Sequence, residues 1–330
     1  MTANRFPVLV TGGAGYIGSH ACRALAQAGY TPVAVDDLRR GHAWAVQWGP
    51  LETVDVCDGS ALDRVFRRHA PIAVLHFAAY INVGESLADP LSYHRNNLGG
   101  LMALTAAMRS HRVHHLVFSS TAAVYGIPQY SPLDEDHPRQ PINPYGASKL
   151  ASERVITDLE HAGTLQAARL RYFNAAGAVA DACIGEAHDP ETHLVPLAIR
   201  AALDPDFTLS VFGTDYPTRD GTAVRDYIHV TDLADAHVRA LDYLRTHEGG
   251  LTLNLGTGQG YTVGEVVAAC ERLLGHPVKR EIAARRPGDP PELVAEASRA
   301  QRTLAWQPRA STLDTIVRSA ARWHQTHGFG

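Results

Sequence analysis

Apolar positions in the first half of the chain fall into short runs, each followed by a longer, mixed stretch. The runs are FPVLVTG, TPVAVD, LETVDV, IAVLHFAA and HHLVFSS, with AARLRYF (Ala167–Phe173) as one more. Between them lie helical stretches such as Gly15–Gly29, Ser60–His69 and Asn97–Arg109. Runs so continuously apolar predict strands buried on both faces. Their alternation with helices predicts a parallel sheet covered on each side. After Asn174 the pattern loosens. Residues 177–222 read as loop-rich, with Gly, Asp and Pro throughout. YIHVTDLADAHVRAL returns to strand and helix, and LTLNLGTG to strand and turn. Residues 262–330 predict two more helices around a proline-rich loop at 287–291. The expected division is residues 1–175 as one unit, with returning segments near 226–260, and 176–330 as a second lobe interleaved with it.

Composition narrows the class. The chain has 330 residues and 45% hydrophobic content, enough for one large α/β unit or two smaller ones. A net charge of −4 gives no basic footprint for nucleic acid or anionic lipid. No apolar run approaches ~18 residues, so no membrane span is expected. Cys22, Cys57, Cys183 and Cys270 lie far apart without a CxxC pair. They read as reduced, mostly buried thiols of a cytoplasmic protein. The first strand starts within a few residues, leaving no room for a signal peptide. Among eighteen histidines, His111, His114 and His115 are the densest group, and they lack a third ligand at a zinc spacing. No metal is expected.

Two local patterns carry chemistry. Gly12, Gly15 and Gly18 form GxxGxxG directly after the first strand and at the start of a helix. Such a loop lets a dinucleotide's pyrophosphate approach the helix N-terminus, where unpaired N–H groups favour anions. Asp36 ends the second strand, placed to accept from a ribose hydroxyl and to repel a 2′-phosphate. NAD is therefore expected over NADP, with Arg39 and Arg40 near enough to oppose that preference. The fold class expected is α/β: a Rossmann-type doubly wound parallel sheet with a smaller, loop-rich C-terminal substrate-binding lobe. The second pattern is Tyr145 and Lys149 in NPYGASK. Four residues apart, they share one helix face. A neighbouring ammonium lowers a phenol's pKa from its usual ~10, giving a base able to take a proton from an alcohol as hydride leaves the carbon. Asn143 and Pro144 read as the cap and first residue of that helix.

Taken in order, TGGAGYIGSH, HFAA with VGES, FSSTAAVYG, PYGASK, LRYFNAAG, FGTDYPTRDGTAVRDYIHVTDLADAH and RRPGD run over almost the whole chain. Together they resemble the extended short-chain dehydrogenase/reductase family, and within it the UDP-glucose (UDP-galactose) 4-epimerases. The resemblance implies roles at particular positions. Tyr145 would be the base on the sugar 4-hydroxyl. Lys149 would hold the nicotinamide ribose and tune the phenol, and Thr121 would bond the same sugar oxygen. On the cofactor side it implies Gly12, Gly15, Tyr16, Ile17 and Gly18, then Asp36 and Asp37. Asp55 and Val56 would border the adenine. Phe77, Ala78, Ala79 and Asn96 would line the cleft, with Ser119, Tyr172 and Phe173 beyond. On the substrate side it implies Asn174 against the sugar diphosphate, His193, Leu194, Val211 and Phe212. Arg225 and Arg286 would clamp the pyrophosphate. Tyr227 would sit near Arg225, Asp289 would bond the uridine ribose, and Leu293 would form the sugar-pocket wall.

The same resemblance sorts reactions. Dehydratases of this kind carry an Asp-Glu pair after the threonine, and UDP-glucuronate decarboxylases a glutamate at the second position; here stand Ala122 and Ala123. Glucuronate 4-epimerases tend to have threonine at the place of Asn174. The implied reaction is oxidation of a UDP-hexose at C4 and return of hydride to the other face. A UDP-GlcNAc/UDP-GalNAc or UDP-xylose/UDP-arabinose 4-epimerase, a net nucleotide-sugar dehydrogenase and a non-catalytic NAD-binding regulator remain as alternatives. Ile81, His193 and Leu293 depart from residues found in some members, lysine, asparagine and tyrosine respectively, and bear on sugar preference. The family also implies a homodimer.

Overall fold

The computed structural model describes residues 6–286 and 288–329. Its first half runs β1 (Pro7–Thr11), α1 (Tyr16–Gln27), β2 (Thr31–Asp36), β3 (Leu51–Thr53), α2 (Gly59–His69) and β4 (Ala73–His76). Short helices α3 (Val83–Ala88) and α4 (Pro90–Tyr93) follow, with a π-helical turn at His94–Gly99. Then come α5 (Gly100–Ser110), β5 (His115–Thr121), α6 (Pro144–His161) and β6 (Gln166–Tyr172). The second half contains β7 (Asn174–Ala176), α7 (Leu194–Leu203), β8 (Leu209–Phe212), β9 (Val224–His229), α8 (Val230–Thr246) and β10 (Leu251–Leu255). It ends with β11 (Gly260–Thr262), α9 (Val263–Leu274), β12 (Arg280–Ala283), β13 (Glu292–Leu293), α10 (Ser298–Leu304) and α11 (Leu313–His327).

Seven parallel strands form the main sheet in the order β3-β2-β1-β4-β5-β6-β10. The apolar runs behave as the pattern requires. Along β1, Val8 and Val10 point into a core with α1 and α8, while Leu9 points into a second core with α2, α5 and α6. Each fully buried Val or Leu side chain contributes roughly 1.5–3 kcal/mol, so burial on both faces fixes these strands at the centre. The strand order reverses between β1 and β4, which opens a crevice at the carboxyl ends of the strands. β10 reaches this sheet from far along the chain, so the two halves interleave.

The smaller assembly centres on β9. It pairs with β11, β13 and β7, while β8 and β12 form a separate parallel pair. Asp226 on β9 is buried and ties the assembly together. Its carboxylate accepts from Thr257 N, Gly258 N, Ala295 N and Thr257 Oγ1.

Two expectations from the pattern are refined. Residues 177–222 are loop-rich as expected, but α7 and β8, which the pattern did not show, lie within them. The prolines and glycines around LVPLAIRAAL masked an apolar face that packs on α9 and α11. The C-terminal stretch holds three helices rather than two, because α10 is a short helix that the pattern merges with its flanks. Pro287, first of the expected proline-rich loop, lies outside the described residues. All four cysteines are free thiols, but only Cys22 and Cys270 are buried; Cys57 is exposed. Among the described residues no helix is long and apolar enough to cross a membrane.

Candidate active site

The glycine loop sits at the crevice. Gly12 has φ 72°, a left-handed conformation that favours glycine, and a Cβ there would lie 2.7 Å from Ala78 N. A Cβ on Gly18 would fall 2.0 Å from Gly12 O, so only glycine lets α1 start this close to the turn. Gly15 caps α1 without a side-chain acceptor, and no acidic residue stands in the first turn. The leading N–H groups of α1 and its dipole therefore suit an anion. Tyr16 and Ile17 open that helix, and the Tyr16 hydroxyl turns away to donate to Gly177 O at 2.6 Å.

Asp36 ends β2 as expected. Its two oxygens accept from Ala14 N and Leu38 N, both at 3.0 Å, and burial raises its pKa. The neighbouring arginines are turned to other carboxylates. Arg39 pairs with Asp55 at 2.8 Å and with Asp37 at 3.4 Å, and Arg40 pairs with Glu85. Asp55 is thus engaged by Arg39 and by Cys57 N, while Val56 is buried against Gly100 of α5. Phe77 and Ala78 follow β4 with both N–H groups on Thr11 O, and Ala79 continues their loop. These residues, with the open glycine loop, fit a dinucleotide.

At the end of β5 the chemical residues converge. Asn143 caps α6 by accepting from Gly146 N at 2.8 Å, and Pro144 opens the helix. A Cβ on Gly146 would stand 2.5 Å from Ala123 O, so glycine here lets α6 lie against the turn after Thr121. That approach brings Tyr145 beside Thr121, whose hydroxyl lowers the phenol's pKa. The Thr121 oxygen also accepts from Ala123 N at 3.1 Å. Lys149 is buried and its ammonium donates to Ser119 O at 2.9 Å. The Ser119 hydroxyl bonds that of Tyr172 at the end of β6, and Phe173 follows.

One electrostatic expectation is corrected. Burial, not lysine, dominates the phenol: it raises the pKa of Tyr145, only partly opposed by Thr121. Burial also lowers Lys149 to about 7, partly offset by the Glu153 carboxylate one turn on. A lysine this desolvated carries less charge near neutrality than a surface ammonium, so its pull on the phenol is weaker than spacing suggests.

The substrate-side residues spread over the smaller assembly. Asn174 on β7 donates to Asp226 O at 3.0 Å, and Tyr227, its β9 partner in register, is buried. Arg225 pairs with Asp289 and donates to Val224 O. Leu293 on β13 lies in register with Arg225 and packs with Phe173 on a cluster holding Ala122, Tyr125 and Leu133. The Arg286 guanidinium lies 4.0 Å from the Phe212 ring centre on β8, next to Val211. His193 caps α7 and Leu194 begins it.

Sequence reasoning missed three supports. Asn97, rather than its neighbour Asn96, ties the loop after β4 to α6, bonding Tyr80 N, Tyr80 O and the Ser148 hydroxyl. Arg171 and Glu153 form a buried two-pronged pair beneath Lys149, joined by Ser120. No spacing rule links residues on a strand and a helix. The third is Glu186, His188, Glu191 and His193, which cluster ahead of α7; E-x-H-x-x-E-x-H was visible as four ligand-type residues in a short run.

A glycine-loop crevice on a doubly wound sheet, with threonine, tyrosine and lysine meeting at its carboxyl edge, defines a short-chain dehydrogenase/reductase site. Residues 8–256 match the NAD dependent epimerase/dehydratase family, and the chain belongs to it. The UDP-glucose 4-epimerase of Rhizobium leguminosarum bv. trifolii is 51% identical over 96% of this chain and 97% of its own length. The crystal structure of UDP-glucose 4-epimerase from Brucella ovis in complex with NAD superposes with TM-score 0.94 at 47% identity, over 98% of this chain and 99% of that one. The enzyme from Stenotrophomonas maltophila with bound NAD and formylated UDP-arabinopyranose gives 0.94 at 44% identity, over 97% and 98%.

Proposed function

We propose that the protein interconverts UDP-glucose and UDP-galactose by NAD-dependent epimerisation at C4. The observation that carries the reading is the meeting of Tyr145, Thr121 and Lys149 beside the glycine loop, followed by Ala122 and Ala123, which hold no proton-transfer group. Tyr145 takes the proton of the sugar 4-hydroxyl, and Thr121 donates to the same oxygen. Bound NAD⁺ supplies the acceptor for the C4 hydride, the donor for its return, and a positive charge that favours the phenolate. Tyr145 then gives its proton back to the new hydroxyl, so each turnover ends where it began, with no net oxidation. Asp36 would favour NAD, because its carboxylate would accept from the ribose hydroxyl and repel the 2′-phosphate that NADP carries there. Arg225 and Arg286 neutralise the substrate diphosphate, Asp289 contacts the uridine ribose, and Asn174 holds the sugar diphosphate. In this reading residues 1–175 with the returning strands bind NAD, and 176–330 mainly bind the UDP-sugar. The protein works in the cytoplasm as a homodimer.

The test is a product assay on purified protein with UDP-galactose. A UDP-glucose/UDP-galactose mixture should form without NADH accumulating; NADH rising in step with sugar consumed would mean a dehydrogenase instead. Tyr145→Phe keeps the ring but lacks the oxygen, and its kcat should fall by on the order of 10²–10⁴. A variant with wild-type kcat would remove Tyr145 from the mechanism.

A further inference from the structure

The segment between β7 and α7 gathers two carboxylates and two imidazoles outside the proton-transfer centre. One potential ligand atom from each of Glu186, His188, Glu191 and His193 lies within 4.8 Å of all the others. Glu186 is buried and His188 and Glu191 half-buried, so this is not an exposed acidic patch. Both imidazoles aim the same nitrogen at the carboxylates. His193 Nδ1 lies 2.9 Å from Glu186 and 2.8 Å from Glu191, and His188 Nδ1 lies 3.1 Å from Glu186 and 3.6 Å from Glu191. Zinc binds His nitrogen and carboxylate oxygen at ~2.0–2.2 Å, which sets tetrahedral ligand-to-ligand edges at about 3.4 Å. The observed nitrogen–oxygen separations straddle that edge.

The backbone around the cluster is fixed from outside. Trp323 Nε1 donates to Glu186 O at 2.9 Å, and His42 Nε2 meets Ala187 O at 2.7 Å. Glu191 is held by the N–H groups of Thr192 and His193. The ligand atoms are thus presented by a braced loop rather than by free side chains.

We propose that Glu186, His188, Glu191 and His193 form a binding site for one divalent transition-metal ion of the zinc type. Two neutral imidazoles and two carboxylates are the ligand mixture such ions take, whereas calcium and magnesium prefer oxygen alone. Charge balance supports the exchange. Two carboxylates with two imidazolium ions sum to zero, and so do the same carboxylates with neutral imidazoles and one divalent cation. Binding therefore releases two protons to solvent, one from each imidazole, and forms two metal–nitrogen bonds in their place. Each Nδ1 lies within hydrogen-bonding distance of a carboxylate oxygen, so it is the protonated nitrogen there, and the ion would take the place of that proton. Tyr16 and His20 of α1 and His324 of α11 are neutral near pH 7, the phenol raised and both imidazoles lowered by burial. Because an imidazole ligates only through an unprotonated nitrogen, the affinity should rise between pH 7 and pH 8. The ion would brace the loop that leads into α7, and the inference does not depend on which sugar the protein takes.

The experiment is calorimetric titration of the full-length, tag-free protein with zinc chloride at pH 7 and pH 8, each in two buffers of different ionisation enthalpy. One ion per chain is expected, with about two protons released and a lower Kd at pH 8. Cobalt(II) should give the visible absorption of a four-coordinate nitrogen–oxygen site. His188→Ala and Glu191→Gln should each weaken binding at least tenfold while retaining the far-ultraviolet circular dichroism of the parent. Absence of saturable one-to-one binding at pH 8 overturns the proposal. So does a Kd unchanged between the two pH values, or undiminished binding in folded His188→Ala. A thiolate-to-cobalt band would move the ion to a cysteine, exposed Cys57 or half-buried Cys183, and equally sink the site. Should a variant not fold, proton release and the cobalt spectrum of the wild-type protein decide alone.

Discussion

Single side chains at the crevice act through what surrounds them. Leu293 shows how. Some relatives of this type carry tyrosine there, and the leucine packs with Phe173 on the cluster that includes Ala122, the neighbour of Thr121. Under the proposed function it would be a wall residue of the sugar pocket, and a smaller one than tyrosine. If its side chain faces the sugar, the room a phenol ring would take would be left for a 2-acetamido group. UDP-GlcNAc and UDP-GalNAc should be turned over beside UDP-glucose and UDP-galactose. Leu293→Tyr should lower kcat/KM for the acetylated pair by roughly 10–200-fold, the range that small steric changes produce in a pocket. If wild type is inert on acetylated sugars, or the variant slows both pairs alike, Leu293 does not gate the pocket.

Between elements, the pair Glu153–Arg171 decides more than any single helix. Glu153 stands one turn after Lys149 on α6, and Arg171 is the penultimate residue of β6. The guanidinium donates to both carboxylate oxygens, at 2.8 and 2.6 Å, and both side chains are buried. The pair joins the helix carrying Tyr145 to the central sheet. Removing one partner of such a pair leaves the other charge uncompensated, a loss of about 3–5 kcal/mol. Glu153→Gln should show it as a lower denaturation midpoint in urea at unchanged slope. The same change deletes the carboxylate that holds Lys149 up, so the lysine should titrate lower still. A loss under ~1 kcal/mol, within the range of exposed pairs, would show that helix and strand are held by apolar contacts instead.

At the scale of the whole molecule, buried histidines set the acid limit. Burial lowers His20 and His76 to about 3 and His229 and His237 to about 4, against 6.5 for a free imidazole. The unfolded chain therefore takes up these four protons on acidification before the native state can. Through these four groups stability is constant above 6.5 and is lost progressively as pH falls from 6.5 towards 3. His188 and His193, shifted upward, contribute stability fully present below 6.5, so they do not reverse the trend. The thermal midpoint should drop by several degrees between pH 6.5 and pH 5, since 1 kcal/mol corresponds to roughly 2–4 °C in larger domains. A midpoint flat across that interval would mean that these imidazoles titrate as if exposed.

The apolar runs, the glycine loop and the cap at Asn143 are local, and they determined the parallel sheet, the crevice at its carboxyl edge and the start of α6. Their information lies within one element or at its end, where spacing and backbone freedom act directly. α7 and β8 were hidden because their apolar faces acquire meaning only against α9 and β12, elements distant in sequence. The charge states of Tyr145 and Lys149 were misjudged for a related reason: spacing gives the distance between two side chains, whereas burial is a property of everything packed around them. The Glu153–Arg171 pair and the loop braced by Trp323 likewise join residues that no local pattern connects. The residues proposed to react stand in short motifs. How strongly each group holds its proton, and which loop is braced from outside, were decided by desolvation and long-range contact in the folded molecule.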